Sequence, residues 1–420
     1  MTRIARPDTI LMEDVLDEHL EDLEFLLQQR ESALYSPEYT RSELRELERR
    51  IAAHVDGLLI GLERTVALAT ARLADEEPGM VFAVAHTLLR LEVDSATRVV
   101  GEAFLAAQGR ILSALVAALK LGPITLLADF LARTLRSAKA PTAVAAAEAL
   151  AFHSKLDVHD RRLAELMEDN DPEVRVKAWK TVSLLDLAPV PGLARPYASA
   201  LADTDARVRD AALTAGAWTQ QKWVLAHCRM LAAKVPRESF SAVWLLAILG
   251  TAQDLDTLLP IAHATELGSR RFSALASFGH PGVGDALVAG LSLADPRAAA
   301  GASAAFTRMT GIDVRSAKRV GVLPEDETWD PTAIAPDILP DLVDEVALPD
   351  VEKATHYWTD NKARYQLGLR WAQGRNLSSP DARSIAEGLD LKTRFEAHLR
   401  SRYEGHWLGS PSELERLLAP

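Results

Sequence analysis

Apolar positions recur every three or four residues almost from the start of the chain. Leu16, Leu20, Leu23, Leu27 and Leu34 are spaced by 3, 4 and 7, with Arg30 standing at one seam position. That is the period of an amphipathic helix. Ser36-Pro37 stops it. Thr40-Arg-Ser-Glu43 then reads as a capping box, in which hydroxyl and carboxylate satisfy free backbone N–H groups. Behind it Leu44, Leu47, Ile51, Val55, Leu58, Leu62, Val66, Ala69 and Leu73 predict one apolar stripe of roughly eight turns. The expectation is a long helical hairpin over residues 1–77. Gly57 and Gly61 weaken helix propensity and so mark close approach of the partner helix.

From 78 to about 310 the pattern is helix, short turn, helix, without strand-like alternation. Alanine-dense stretches such as AVAAAEALA and RAAAGASAAF suit closely stacked helices. Within this region DNDPEVRVKA (169–178) returns as DTDARVRDAA (203–212), 34 residues later and without a gap. A fixed period of this size marks a solenoid. Asp171 and Asp205 are expected to cap the following helix, and Pro172 fits the first position, where no N–H is needed. Val174 and Ala178, with Val208 and Ala212, are placed inward. Arg175, and by alignment Arg209, can reach a carboxylate of a neighbouring repeat. A weaker copy keeps Asp295-Pro296 in ADPRAAAGA, and LEVDSATRVV, with Asp94 and Arg98, reads as a degenerate earlier one.

At 420 residues the chain exceeds a single core, so several units or an array are expected. The lone Cys228 excludes an internal disulfide framework and suits a reducing, cytoplasmic setting. The first residues lack the apolar run of a secretory signal. The most apolar stretch, LSALVAALKLGPITLLADFLA, is interrupted by Lys120 and Gly122-Pro123, which argues for buried helices and against a membrane span. The net charge of −12 is uneven: ten acids and no Lys or Arg lie between Gly321 and Glu352, leaving about −2 for the rest. Pro324, Pro331, Pro336, Pro340 and Pro349 preclude a regular helix there. That stretch is either a solvated spacer or a docking arm. The expected organisation is all-α: a hairpin (1–77), helical repeats (78–318), an acidic linker (319–352) and a small helical module (353–420).

Candidate chemistry is sparse. No His-Glu-x-x-His and no paired Cys occurs, and His153 and His159 lie six apart, so neither metal nor cofactor is expected. His19 and His54 read as core-edge histidines. FGHPGVGDALV lacks the features of a phosphate loop and reads as an inter-helix turn with a helix starting near Gly284. Cys228 reads as a buried structural thiol. Trp179, Trp218, Trp223 and Trp244 serve either core packing or a concave groove. The richest local feature is C-terminal. Trp358, Asn361, Arg364, Arg370 and Arg375, with Asp337, Asp341, Asp344 and Glu345, form the candidate protein-binding set. The alternative is that these arginines pair with the acidic segment and close it onto the module.

The Asp-x-Asp-Pro-x-Val-Arg-x-x-Ala pattern resembles the HEAT and HEAT-like repeats over about residues 80–310; armadillo repeats are close relatives. A second resemblance spans most of the chain. It rests on VLDEHLEDLEFLLQQRESALYSPEYTRSELRELERRIAAHVDGL, EEPGMVFA, AFTRMTGID and YWTDNKARYQLGLRWAQGRNLS. These are similar to an uncharacterised bacterial family commonly encoded beside type VI secretion genes. Trp358, Asn361, Arg364, Gly368, Arg370 and Gly374 fall on its pattern. The resemblance implies a link to that machine and supplies no activity. The expectation is a cytoplasmic, non-catalytic scaffold, adaptor or effector-neutralising protein. Its partner would be a secreted effector or secretion component with a basic face, because an acidic segment repels nucleic acid and anionic membranes. The alternative class is a HEAT-fold DNA-repair enzyme resembling the alkylpurine glycosylases, against which the acidic chain without a recurring Lys/Arg stripe counts. A bilin-lyase-like activity is a third option.

Overall fold

The computed structural model describes residues 13–74, 77–157, 160–185, 194–234, 240–322, 344–378 and 382–416. Among them are 22 α-helices and two small two-stranded sheets, so the fold is an all-α helical array. The chain divides into two units. Unit 1 comprises Met1–Gln221, Asp390–Lys392 and Gly405–Pro420; unit 2 comprises Lys222–Leu389 and Thr393–Glu404. The division thus falls inside the repeats, and residues 353–420 are shared between the units.

Unit 1 opens with α1 (Glu13–Ala33) and α2 (Arg41–Ile60), packed as a hairpin. The capping box forms: Thr40 N–H donates to Glu43 Oε2 at 2.8 Å, and Glu43 N–H donates to Thr40 Oγ1 at 3.3 Å. Leu16, Leu20, Leu23, Leu27, Leu44 and Leu58 are buried along the seam. Arg30, buried among them, donates from Nε and Nη2 to Glu48 Oε1 at 2.9 and 2.8 Å. A Cβ at Gly57 would stand 2.9 Å from His19 Nε2, so the bare glycine admits that ring.

The stripe does not run on as one helix. α2 ends at Ile60, Leu62 takes a left-handed φ of 44°, and α3 (Glu63–Arg72) starts anew. From α3, Arg72 Nη2 donates to both carboxylate oxygens of Asp17 at 2.6 Å. Ile60 and Leu62 are left exposed at the bend.

The repeats of unit 1 are α4 (Pro78–Arg90), α5 (Asp94–Ala106), α6 (Gly109–Leu121), α7 (Ala128–Ser137), α8 (Ala140–Phe152), α9 (Arg161–Met167), α10 (Pro172–Leu184), α11 (Ala194–Leu201) and α12 (Ala206–Trp218). The even-numbered helices stack in one row, α4 on α6, α6 on α8, α8 on α10 and α10 on α12; α7, α9 and α11 cover them from the second layer. α8 shows why alanine is dense. Ala143, Ala145, Ala146, Ala147, Ala149 and Ala151 are all buried, as befits a helix enclosed on every side.

Unit 2 continues with α13 (Trp223–Ala232), α14 (Phe240–Leu249), α15 (Leu255–Leu258), α16 (Arg270–Phe278), α17 (Gly284–Gly290) and α18 (Pro296–Thr310). Here α14, α16 and α18 form the row. The edges of the acidic stretch are strands. β1 (Arg315–Val322) pairs antiparallel with β2 (Asp344–Pro349), Val320 opposite Val346 and Val322 opposite Asp344. β2 and the second half of β1 fall where the sequence pattern predicts linker, and Arg315–Lys318 where it predicts helical repeat, because the strands' partnership spans the intervening segment and leaves no local period. After α19 (Val351–Asn361) come the short strands β3 (Trp371–Ala372) and β4 (Arg375–Asn376), then α20 (Ala382–Glu387), α21 (Leu391–Tyr403) and α22 (Pro411–Glu415). The C-terminal part is therefore not purely helical. Residues 405–416 belong to unit 1, and residues 393–404 to unit 2.

Candidate functional site

In unit 1 the repeated motif works as a joint. Asp171 caps α10, its carboxylate accepting from Glu173 N–H at 2.9 Å; Asp205 caps α12, accepting from Arg207 N–H at 2.8 Å. Asp169 and Asp203 each accept from the N–H two residues on, at 2.9 Å. Pro172 occupies the first turn, and Val174, Val208, Ala178 and Ala212 are buried. Arg175 then reaches the next copy: Nε and Nη2 donate to Asp203 Oδ2 and Oδ1, both at 2.8 Å. That bidentate pair holds the Asp203 carboxyl below its ordinary range. Arg209 repeats the local half of the device, donating to Asp203 O and Thr204 O. In unit 2 Asp295 caps α18 before Pro296. Asp94 departs from the expectation. It stands inside the first turn of α5 behind an uncapped Val93, so 91–100 lacks the capping geometry of the motif.

The C-terminal candidates lie in unit 2, and the two most prominent face inward. Trp358 is 6% exposed and donates from Nε1 to Asp285 Oδ1 at 2.6 Å. A Cβ at Gly284 would stand 2.0 Å from its Cζ2, so the ring fills the space that glycine leaves. Arg370 pairs with no part of the acidic stretch among the described residues. Its Nη1 donates to Ala247 O at 2.7 Å and Phe278 O at 3.1 Å, and its Nη2 to Gly250 O at 2.5 Å. These carbonyls end α14 and α16, where backbone acceptors lack helical partners and a cation is favoured. Burial pushes the guanidinium down to about 9, which leaves it cationic at neutral pH. Both residues hold unit 2 together through these contacts. Asn361 donates to Tyr357 O, and the exposed Arg364 to Gly374 O. Arg375, Asp344 and Glu345 are exposed, whereas Asp337 and Asp341 lie outside the described residues.

The tryptophans lead to an arrangement the sequence did not disclose. Trp179 is fully buried against Tyr197, and Trp218 meets Trp407 edge to face. Trp244 instead donates from Nε1 to Glu396 Oε1 at 3.1 Å and lies parallel to Phe395, centroids 6.5 Å apart. Ser277 Oγ donates to the same Oε1 at 2.8 Å, and Arg308 Nη2 to Oε2 at 2.6 Å. One donor comes from each of α14, α16 and α18, and together they cradle a single buried carboxylate. Glu396 sits in the polar helix LKTRFEAHLRSRY. Its distance from Arg308, 88 residues, leaves no periodic trace.

The same logic recurs in unit 1. Ser410 Oγ donates to Leu184 O at 2.8 Å, Arg416 Nη2 donates to Phe152 O, and Glu415 pairs with Lys120 at 3.2 Å. Leu184 and Phe152 end α10 and α8. In each unit, C-terminal donors satisfy the carbonyl ends of the helical row. Cys228 is buried, with its thiol pushed up to about 12 by burial, which suppresses nucleophilic character. His153 Nε2 bonds Leu119 O; His159 lies outside the described residues. His19 and His54 contact each other through their Nδ1 atoms at 3.1 Å. No group of three metal-ligating side chains occurs among the described residues, and no described helix is long and apolar enough to cross a membrane.

No family model and no curated protein matches the chain. Among solved structures, the chain is similar to a crystal structure of an engineered protein, at 17% identity and a TM-score of 0.31. That match covers 68% of this chain and 87% of the other.

Proposed function

We propose that the protein is a non-catalytic helical-repeat scaffold that binds another protein, as a type VI secretion-associated accessory, adaptor or effector-neutralising component. One observation carries the reading: in both units the row of stacked helices holds a stretch of polypeptide through side-chain donors and backbone carbonyls. A surface built to hold polypeptide suits a protein partner. The secretion link rests on the resemblance of the opening segment, EEPGMVFA, AFTRMTGID and the 357–378 stretch. A basic face on the partner is supported by the acidic excess between Gly321 and Glu352, of which Asp344 and Glu345 stand exposed on β2.

The test is association kinetics on the partner that co-purifies from the native host. Replacing Asp337, Asp341, Asp344 and Glu345 by Asn or Gln slows association several-fold at low salt, because steering by surface charge acts on the on-rate. An unchanged association rate with unchanged salt dependence overturns the basic-partner reading. Tight binding of duplex DNA at low salt, in place of a protein partner, overturns the scaffold.

A further inference from the structure

The cradle in unit 2 has the form of a receptor with its ligand in place. Trp244, Ser277 and Arg308 come from three successive row helices and converge on the two oxygens of Glu396. Arg308 also donates from Nε to Thr393 Oγ1 at 3.2 Å and from Nη1 to Ser277 Oγ at 3.0 Å. The side chains of Arg308 and Glu396 are only 8% and 7% exposed. Beside them the Phe395 ring lies parallel to Trp244, tilted by 11°.

The occupant differs from the helices around it. α14 is FSAVWLLAIL, buried as an apolar element; α21 is LKTRFEAHLRSRY, yet Thr393, Arg394, Glu396, His398 and Arg402 are buried with it. Burying charged groups costs desolvation that their partners only offset. A helix held this way regains hydration of its charges on leaving, and the apolar contact it gives up is that of Leu391, Leu399 and the Phe395 ring, which a competing helix must replace. α14 has no such alternative. Arg394 Nε meets both carboxylate oxygens of Glu387 at 3.0 Å, and His398 Nε2 approaches Glu387 at 3.3 Å. These pairs lie within residues 387–398 and travel with the helix. The groove behaves oppositely. Without Glu396, Arg308 loses its carboxylate in a buried place, so the vacated groove selects another carboxylate.

We propose that the α14–α16–α18 face of unit 2 is a helix-binding site that α21 occupies as a ligand in cis. A helix of another protein competes for it by presenting a carboxylate to Arg308 and an aromatic ring to Trp244. This goes beyond the scaffold reading and stands on the cradle alone.

The probe is a fluorescein-labelled peptide of residues 387–404, which keeps the Glu387 pairs, and its anisotropy is followed on titration with the full chain. The tethered helix competes at high effective concentration, so the wild-type chain binds the peptide weakly. The Glu396→Ala chain, with its own ligand impaired, binds it at least tenfold more tightly. A peptide carrying Glu396→Ala does not bind, and Arg308→Ala added to the variant chain abolishes binding. A folded Glu396→Ala chain that takes up the peptide no better than wild type overturns the proposal. Hydrogen exchange on the unmodified chain decides the matter whether or not the variant folds. Amides of residues 393–403 exchange through an opening that leaves α14, α16 and α18 protected, and exchange of all four helices together overturns it. Neither outcome bears on the scaffold reading, which is decided by the co-purified partner.

Discussion

Cutting the joint between the two motif copies is the most direct way to ask whether the repeat period is held by charge. Arg175→Ala removes two charge-assisted hydrogen bonds to Asp203 and those from Nη1 to Asp169 O and Asn170 O. The pair is 15% and 12% exposed, so solvent screens it only partly. Breaking a fully buried pair costs about 3–5 kcal/mol. Residual exposure and the N–H that Asp205 still gives Asp203 reduce this to about 2–4 kcal/mol. Asp203→Ala costs a similar amount, about 2–4 kcal/mol, because it leaves the Arg175 guanidinium without its carboxylate and the Asp205 N–H without its acceptor. The double variant then reveals a coupling of at least about 1 kcal/mol. Arg175→Lys keeps the charge and loses the fork, so it recovers less than half. The assay is urea unfolding followed by fluorescence and by hydrogen exchange in α10 and α12, since a chain of two units need not unfold in one step. Single effects that simply add, with coupling under about 0.5 kcal/mol, refute the charged joint and leave Val174 and Val208 as the determinants of register.

Three further outcomes are expected. His86 is buried in α4 and its imidazole is pushed down to about 3 by burial, so the folded state holds it neutral while the unfolded chain protonates it near 6.5. The unfolded state therefore binds more protons as pH falls below 6.5, and stability drops by about 2 kcal/mol between pH 7 and 5; His86→Phe flattens that part of the profile, and an unchanged slope refutes the assignment. Arg370→Met leaves the carbonyl ends of α14 and α16 without their shared donor and costs about 2–4 kcal/mol, read by thermal unfolding; a loss below about 1 kcal/mol means water replaces it freely. Gly284→Ala forces a Cβ into the Trp358 ring and costs about 1–3 kcal/mol, an effect that disappears in a Trp358→Leu background if the ring is the cause.

What the sequence disclosed was local or periodic. Thr40 and Glu43 lie three residues apart, and Asp171-Pro172 adjoins the helix it caps, so each announces itself within one turn. The tie from Arg175 to Asp203 is long-range, but the 34-residue repeat advertises it. Other features left no such trace. The apolar stripe continues through Leu62 although the backbone turns there, because hydrophobic period is blind to a single left-handed residue. The cradle joins residues 88 to 152 positions apart, and its ligand helix is polar enough to pass for surface. Aromatic and arginine richness at 357–375 was visible, but whether those groups face solvent or interior depends on Gly284 and on the carbonyls of α14 and α16. Composition cannot report that.

The closing residues alternate between the units: 390–392 to unit 1, 393–404 to unit 2, and 405 onward to unit 1 again. On the ribosome this sets an order of events. Residues through Gln221 emerge with the carbonyl ends of α8 and α10 still lacking Arg416 and Ser410. At about 5–20 residues per second, the stretch from 222 to 416 takes roughly 10–40 s to be made. Unit 1 thus passes its first seconds of existence incomplete. Both units reach their final form only after residues 390–416 have been made, and a nascent chain stalled before codon 390 exposes two unfinished helical rows to chaperones and proteases.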